Sequence, residues 1–214
     1  MCRTIKYTIV HSIILIGVFC FSACMGEEKA KDSNKNDVVN VLEDSLTDVF
    51  NPREHPLIFR RTTLIVRDIK RSLALYKDAM GMEIIYDKIL KRPHPTKDGE
   101  QYIRLVFLKA VDEYYGVLGL MEYQYGETGK VTEPVSKEGF KVQNSIMLFN
   151  TNALEERFPI IESTPGVEVY RLPTLREYPS YDGEGVIRVM VSIFYDPDGF
   201  LVEFNEPLDD IKTQ

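Results

Sequence analysis

The side chains able to do metal or nucleophile chemistry are unevenly spread along this 214-residue chain. All three cysteines, Cys2, Cys20 and Cys24, fall at the N-terminus, so the rest of the chain can form no disulfide, zinc-thiolate site or cysteine nucleophile. Beyond that segment the only histidines are His55 and His94, and His94 sits between Pro93 and Pro95, a loop pattern in which a lone histidine reads as a solvated surface residue. Carboxylates, arginines and hydroxyls are therefore left to carry any chemistry. Asp and Glu number 33 against 26 Lys and Arg, a net charge of −7, which removes the phosphate attraction that non-specific nucleic-acid binding needs. No nucleic-acid partner is expected.

The cysteines belong to a targeting segment. Arg3 and Lys6 make a basic start, residues 9–21 an apolar stretch, and Phe21-Ser22-Ala23-Cys24 ends it with small residues before a cysteine. This resembles the lipobox of bacterial lipoproteins, with Phe21 where Leu is usual. The resemblance implies cleavage before Cys24 and lipidation of Cys24, hence a membrane-anchored lipoprotein on the periplasmic or extracellular face. An uncleaved anchor or an ordinary secretory signal is the alternative, against which the apolar stretch is short for a spanning helix. Loss of Arg3 and Lys6 on cleavage would take the net charge from −7 to −9. Residues 26–37 are polar and lack aromatic or large aliphatic side chains, so they read as a tether. Val38, Val41, Leu42, Leu46 and Val49 recur at helical spacing and predict a short amphipathic helix ended by Asn51-Pro52. The expected organisation is thus a signal peptide over 1–23, a lipidated tether and helix over 24–55, and a domain over 56–209.

Within that domain the pattern is regular. A β-branched run predicts a strand over 59–66, a helix follows over 69–80 between Asp68 and Gly81, and strands follow over 83–90, 101–110 and 115–124. After a polar loop the order returns: a strand over 141–149, a helix over 152–158 stopped by Pro159, and strands over 167–172, 186–195 and 200–205. The long connection over 173–185, with Arg176, Tyr178 and Tyr181, reads as a surface insertion or as a lid. The expected fold class is α+β, in two βαβββ modules.

Two stretches carry a family resemblance. The run from Arg61 to Tyr76 (RTTLIVRDIKRSLALY), continuing to Gly81, resembles the opening signature of the vicinal oxygen chelate superfamily, that of glyoxalase I, bleomycin-resistance proteins and extradiol dioxygenases. The run from Asp196 to Asn205 (DPDGFLVEFN) is similar to its closing signature. The resemblance implies that the two modules form a curled mixed sheet with a central cup, and that in metal-dependent members one ligand stands on the first strand and one on the last strand of each module, His or Gln, then Glu, then His, then Glu. Those positions fall here on Arg61, Glu122, Ser145 (with Asn144 one register away) and Glu203. Both nitrogen ligands are missing. Arginine has no lone pair to give and a serine hydroxyl is a poor ligand, so no cofactor is expected, with room only for a weak hard-cation site, such as a divalent metal held by Glu122 and Glu203.

Strand alternation puts Arg61, Thr63 and Ile65 on the cup face of the first strand, and Leu201, Glu203 and Asn205 on that of the last. If Arg61, Glu122 and Glu203 share one cup, the guanidinium replaces the ion and pairs with a carboxylate, either to bind a ligand or as a structural ion pair. The candidate ligand-binding residues are thus Arg61, Thr63, Glu122, Ser145 and Glu203, and no catalytic residue is assigned. Three functions fit. One is a lipid-anchored, metal-free binding domain for a small-molecule ligand, of the bleomycin-resistance kind. Another is a lyase, isomerase or dioxygenase-type enzyme using Glu122 and Glu203. The last is a structural or interaction lipoprotein whose helix over 38–50 meets a partner. A homodimer is compatible with all three.

Overall fold

The computed structural model describes residues 56–129 and 132–210. Cys24, the tether and the helix expected over 38–50 lie outside the described residues, as does His55. Among the described residues no helix is long and apolar enough to cross a membrane.

The first module runs β1 (Arg61–Ile65), α1 (α-helical over Ile69–Leu73 and π-helical over Ala74–Ala79), β2 (Glu83–Pro93), β3 (Glu100–Lys109) and β4 (Val117–Glu122). The second runs β5 (Ile146–Asn150), α2 (Leu154–Ser163), β6 (Glu168–Pro179), β7 (Val186–Tyr195) and β8 (Leu201–Pro207). Each module is a four-stranded sheet, in the orders β1-β4-β3-β2 and β5-β8-β7-β6. In each, the first and last strands pair in parallel, Thr63 with Gly119 and Leu148 with Glu203, while the other pairs are antiparallel. The repeated βαβββ pattern read from the sequence is the observed one.

One face of each sheet packs under the helices. Leu64, Leu118, Leu120, Val106 and Leu108 of the first sheet join Leu75 and Tyr76 of α1, Phe158 and Ile161 of α2, and Phe194, Val202 and Phe204 of the second sheet in a single core. The opposite, helix-free face of the second sheet has its own small cluster of Val191, Ile193, Tyr195 and Leu201. Helix α1 starts where Asp68 caps it, its carboxylate accepting from Lys70 N at 2.8 Å, and it ends at Gly81 with φ +85°. Its second half is wound as a π-helix, with Met80 N–H donating to Leu75 O at 2.8 Å.

Four boundaries differ from the sequence reading by more than two residues. Pro159 lies inside α2 rather than ending it. It forfeits a backbone donor, but Leu154, Phe158 and Ile161 bury on one side of the helix and hold it through the gap. The segment over 173–185 is an exposed hairpin rather than a loop: β6 continues to Pro179 and pairs with β7 as far as Val186, leaving a turn in which Ser180 N–H donates to Gly185 O at 3.2 Å, with Tyr178 and Tyr181 exposed. Strand β2 runs on to Pro93, opposite Glu100, and β5 begins only at Ile146.

Candidate functional site

Strand β1 lies as alternation requires. Leu64 is buried under the helices, and Arg61, Thr63 and Ile65 stand on the helix-free face, opposite Val117, Gly119 and Met121 of β4. Arg61 lies flat along that face. Its Nε–H donates to Thr63 Oγ1 at 3.0 Å, and its guanidinium carbon sits 3.8 Å from the centre of the Phe107 ring on β3. Phe107 in turn stacks on Tyr86 of β2, with ring centres 4.8 Å apart and planes 21° apart. Gly119 lies between Thr63 and Phe107 in the sheet and makes room for this arrangement: a Cβ there would stand 2.6 Å from Thr63 Oγ1 and 3.2 Å from Arg61 Cδ. That glycine is required by close approach rather than by its backbone angle.

Glu122 is not on this face. Leu118, Leu120 and Glu122 alternate toward the helices, and the buried Glu122 carboxylate accepts from Ile69 N–H, the first donor of α1, at 2.9 Å. With Asp68 serving Lys70, two donors of the first turn are satisfied by side chains. The expected meeting of Arg61 with Glu122 in one cup is therefore corrected. A carboxylate one residue away from the inward register serves the helix terminus, and the β4 positions facing inward are Val117, Gly119 and Met121.

Glu203 is on the helix-free face of the second sheet, with Leu148 of β5 and Ile193 of β7 as register neighbours. Its Oε2 accepts from Asn205 Nδ2 at 3.1 Å, and Asn205 Oδ1 accepts from Ser192 N–H at 3.2 Å. The expected ion pair with Arg61 is absent: among the described residues no carboxylate lies in ion-pair reach of that guanidinium, although Arg67, Arg104 and Arg188 each hold an aspartate. Ser145 is exposed just ahead of β5, and it borders a cleft of about 380 Å³ between the β1 and β5 edges that Arg61 also borders. The structure thus brings Arg61 and Thr63 into direct contact, puts Ser145 near the β1 edge, and sets Glu122 and Glu203 in separate environments. Phe107, Tyr86 and Gly119 complete the Arg61 site and were not singled out in the sequence. A glycine within the strand pattern YGVLGLMEY, opposite an arginine, was the available signal.

The donor set does not fit the divalent ion that the fold's metal-dependent members imply. Among the described residues no three His, Cys, Asp or Glu side chains are grouped to hold a metal. His94 is engaged in its turn, its Nδ1 accepting from Thr96 N–H at 3.2 Å, with Gln124 Nε2 3.4 Å from its Nε2.

The two modules are tied by buried polar contacts at the ends of the signature runs. Tyr76 Oη donates to Asp196 Oδ2 at 2.9 Å, while Asp196 Oδ1 accepts from Asp198 N–H at 2.9 Å and Phe200 N–H at 2.8 Å. Burial pushes the Asp196 carboxyl up to about 6, against the pull of those hydrogen bonds, and burial together with Asp196 lifts the Tyr76 phenol well above its ordinary value. Nearby, Arg67 Nη1 bonds Asp198 Oδ1 at 2.6 Å, and its Nε and Nη2 donate to the Glu133 carbonyl at 2.9 and 2.7 Å.

No family model matches the chain, and no curated protein sequence matches it. Solved structures do. A glyoxalase family protein from Bacillus cereus is 12% identical, with a TM-score of 0.53 over 75% of this chain and 100% of that one. A glyoxalase/bleomycin resistance protein/dioxygenase family enzyme from Burkholderia phytofirmans is 14% identical, with a TM-score of 0.41 over 71% and 100%. The trypanothione-dependent glyoxalase I of Leishmania major is 20% identical, with a TM-score of 0.40 over 69% and 85%. Paired βαβββ modules, each closed by parallel first and last strands, together with the likeness to the Bacillus cereus protein, give this chain the glyoxalase/bleomycin-resistance type of fold, that of the vicinal oxygen chelate proteins.

Proposed function

We propose that this chain is an extracytoplasmic lipoprotein, anchored through Cys24, whose domain binds a small molecule on its helix-free face without the metal centre used elsewhere in this fold. The observation that carries the reading is Arg61. It stands where metal-dependent members place a nitrogen ligand, it is immobilised by Thr63 and Phe107, and β4 offers no carboxylate beside it. A fixed cation with an aromatic floor is a recognition device, and the nearby face is mixed apolar and polar, as small-molecule sites are. Elemental analysis of the dialysed full-length chain should find no equimolar zinc, nickel or iron. An equimolar ion retained through dialysis would overturn the metal-independent reading.

A second reading, an enzyme, is favoured by one feature. Glu203 lies on the helix-free face between aliphatic neighbours, where a carboxylate can take a proton from a bound molecule. In that reading Glu203→Gln abolishes turnover while leaving ligand affinity within a few-fold. Glu122, committed to α1, takes no part.

A further inference from the structure

We propose that Arg61 is an anion-recognising group and that the ligand of the helix-free face is a small planar organic carboxylate. The inference rests on the small-molecule-binding reading above and names its ligand class.

The guanidinium is held before any ligand arrives. Thr63 engages Nε, the Phe107 ring covers one planar face, and Gly119 leaves the space the side chain crosses. Little rotamer freedom remains to be lost on binding, which favours affinity through preorganisation. With Nε and one face engaged, the terminal amino groups and the opposite face remain. Their N–H groups form the fork that meets a carboxylate through two parallel hydrogen bonds, and a flat guanidinium accepts a stacked ring on its open face.

Among the described residues the charge also has no carboxylate in ion-pair reach. The chain has 33 acidic residues, yet none in the described part pairs with Arg61. On β1, β3 and β4 the positions beside it on this face are Thr63, Ile65, Val117, Met121, Leu105 and Phe107. The neighbouring cation, Lys109, is neutralised by Glu113 at 3.2 Å and Glu83 at 3.6 Å. Among the described residues Arg61 therefore keeps its positive charge without an ion-pair partner, beside Val117 and the Phe107 ring, and Ile65, 53% exposed, offers a surface for an apolar ring. A cationic ligand would meet repulsion here, and a neutral one would leave the fork unfilled.

Calorimetric titration of the full-length chain with 1-naphthoate, its neutral carboxamide and 1-naphthylmethylammonium tests this. The carboxylate should bind at one site, the carboxamide at least about tenfold more weakly, and the ammonium not at all. Arg61→Met, which keeps a stem over Phe107, should weaken the carboxylate at least about tenfold and leave the carboxamide unchanged. Gly119→Ala, which alters no charge, should weaken the carboxylate by displacing Arg61, and Arg176→Gln on the β6 hairpin should change nothing. Thermal melts of each variant confirm folding. Equal affinity for carboxylate and carboxamide, or carboxylate binding unaffected by Arg61→Met in a folded variant, would overturn the anion assignment and leave the small-molecule reading standing. Failure of all three probes to bind at millimolar concentration would overturn both.

Discussion

The phenol of Tyr76, in the π-helical half of α1, donates to the buried carboxyl of Asp196, which opens the turn before β8, and so one hydrogen bond of 2.9 Å joins the two modules through their shared core. The Asp196 side chain is fully buried, yet all three of its hydrogen bonds come from neutral donors.

That environment fixes the sign of a pH effect. The carboxyl titrates near 6 in the folded protein against an ordinary 3.8, so the folded state holds its proton more tightly than the unfolded chain does. The contribution of this group is therefore greatest below about pH 4 and is lost as pH rises through about 6, by about 3 kcal/mol in all. Denaturation of the wild type and of Asp196→Asn across this range should show the wild type losing stability relative to the variant by that order as the pH rises. Asp209, held down to about 2 by its hydrogen bonds from Arg188, titrates below the window and does not obscure it. A pH-independent difference would contradict the assignment.

Glu122 should behave as a helix cap. Glu122→Ala removes the acceptor for Ile69 N–H in a buried place and should lower stability by about 2–3 kcal/mol, with Glu122→Gln costing about half as much. Urea denaturation measures both. Ligand titration of Glu122→Gln should match the wild type, because the carboxylate lies on the other side of the sheet from Arg61.

Gly199 closes the Asp196-Pro-Asp-Gly turn at φ +91°, and a Cβ there would run into the Ser136 carbonyl oxygen. Gly199→Ala combines a strained backbone angle with overpacking and should cost about 3 kcal/mol, read as a lowered denaturation midpoint. The same change at Gly183, also at positive φ but with open space around it, should cost about 1 kcal/mol.

The anchor is tested separately. Mass spectrometry should find a mature chain that begins at Cys24 and carries added lipid mass. Cys24→Ala should move the protein out of the membrane fraction with an unchanged melting temperature, since acyl chains supply the stable attachment and the tether none. A mature chain beginning elsewhere, without lipid, would remove the localisation and leave the fold untouched.

Why some of this was legible in the sequence and some not comes down to period and register. Apolar alternation on β1 placed Arg61, Thr63 and Ile65 correctly because one face of that strand is buried, which pins its register. Resemblance to a motif carried Glu122 over by residue type and context. A strand reverses its facing at every residue, so an offset of one sent the carboxylate to the helices instead. Local propensity ended α2 at Pro159, and tertiary burial of Phe158 and Ile161 overrode it. The β6 extension past Leu172 was hidden by Pro173 and Pro179, which an exposed strand tolerates and a buried one does not. The stack of Arg61, Phe107 and Tyr86 joins three strands, its Arg61–Phe107 contact spanning 46 residues and resting on a β1–β4 pairing of residues 56 apart, and no local pattern reports such a contact.

The parallel pairing of first and last strands in each module also governs the order in which the chain can fold. Strand β1 waits for β4, and β5 for β8, so neither sheet is complete until its final segment is present. The helix-side core draws Phe194, Val202 and Phe204 from the C-terminal end, and the acceptor for Tyr76 lies 120 residues further along the chain. Non-local closure of this kind makes folding slow, because loop entropy is lost before the contacts that repay it can form. A ribosome or a translocation channel would release the first module as a finished sheet whose helix-side apolar face still lacks Phe194, Val202 and Phe204. The chain stays unlocked, and therefore threadable, until its last strand has been delivered.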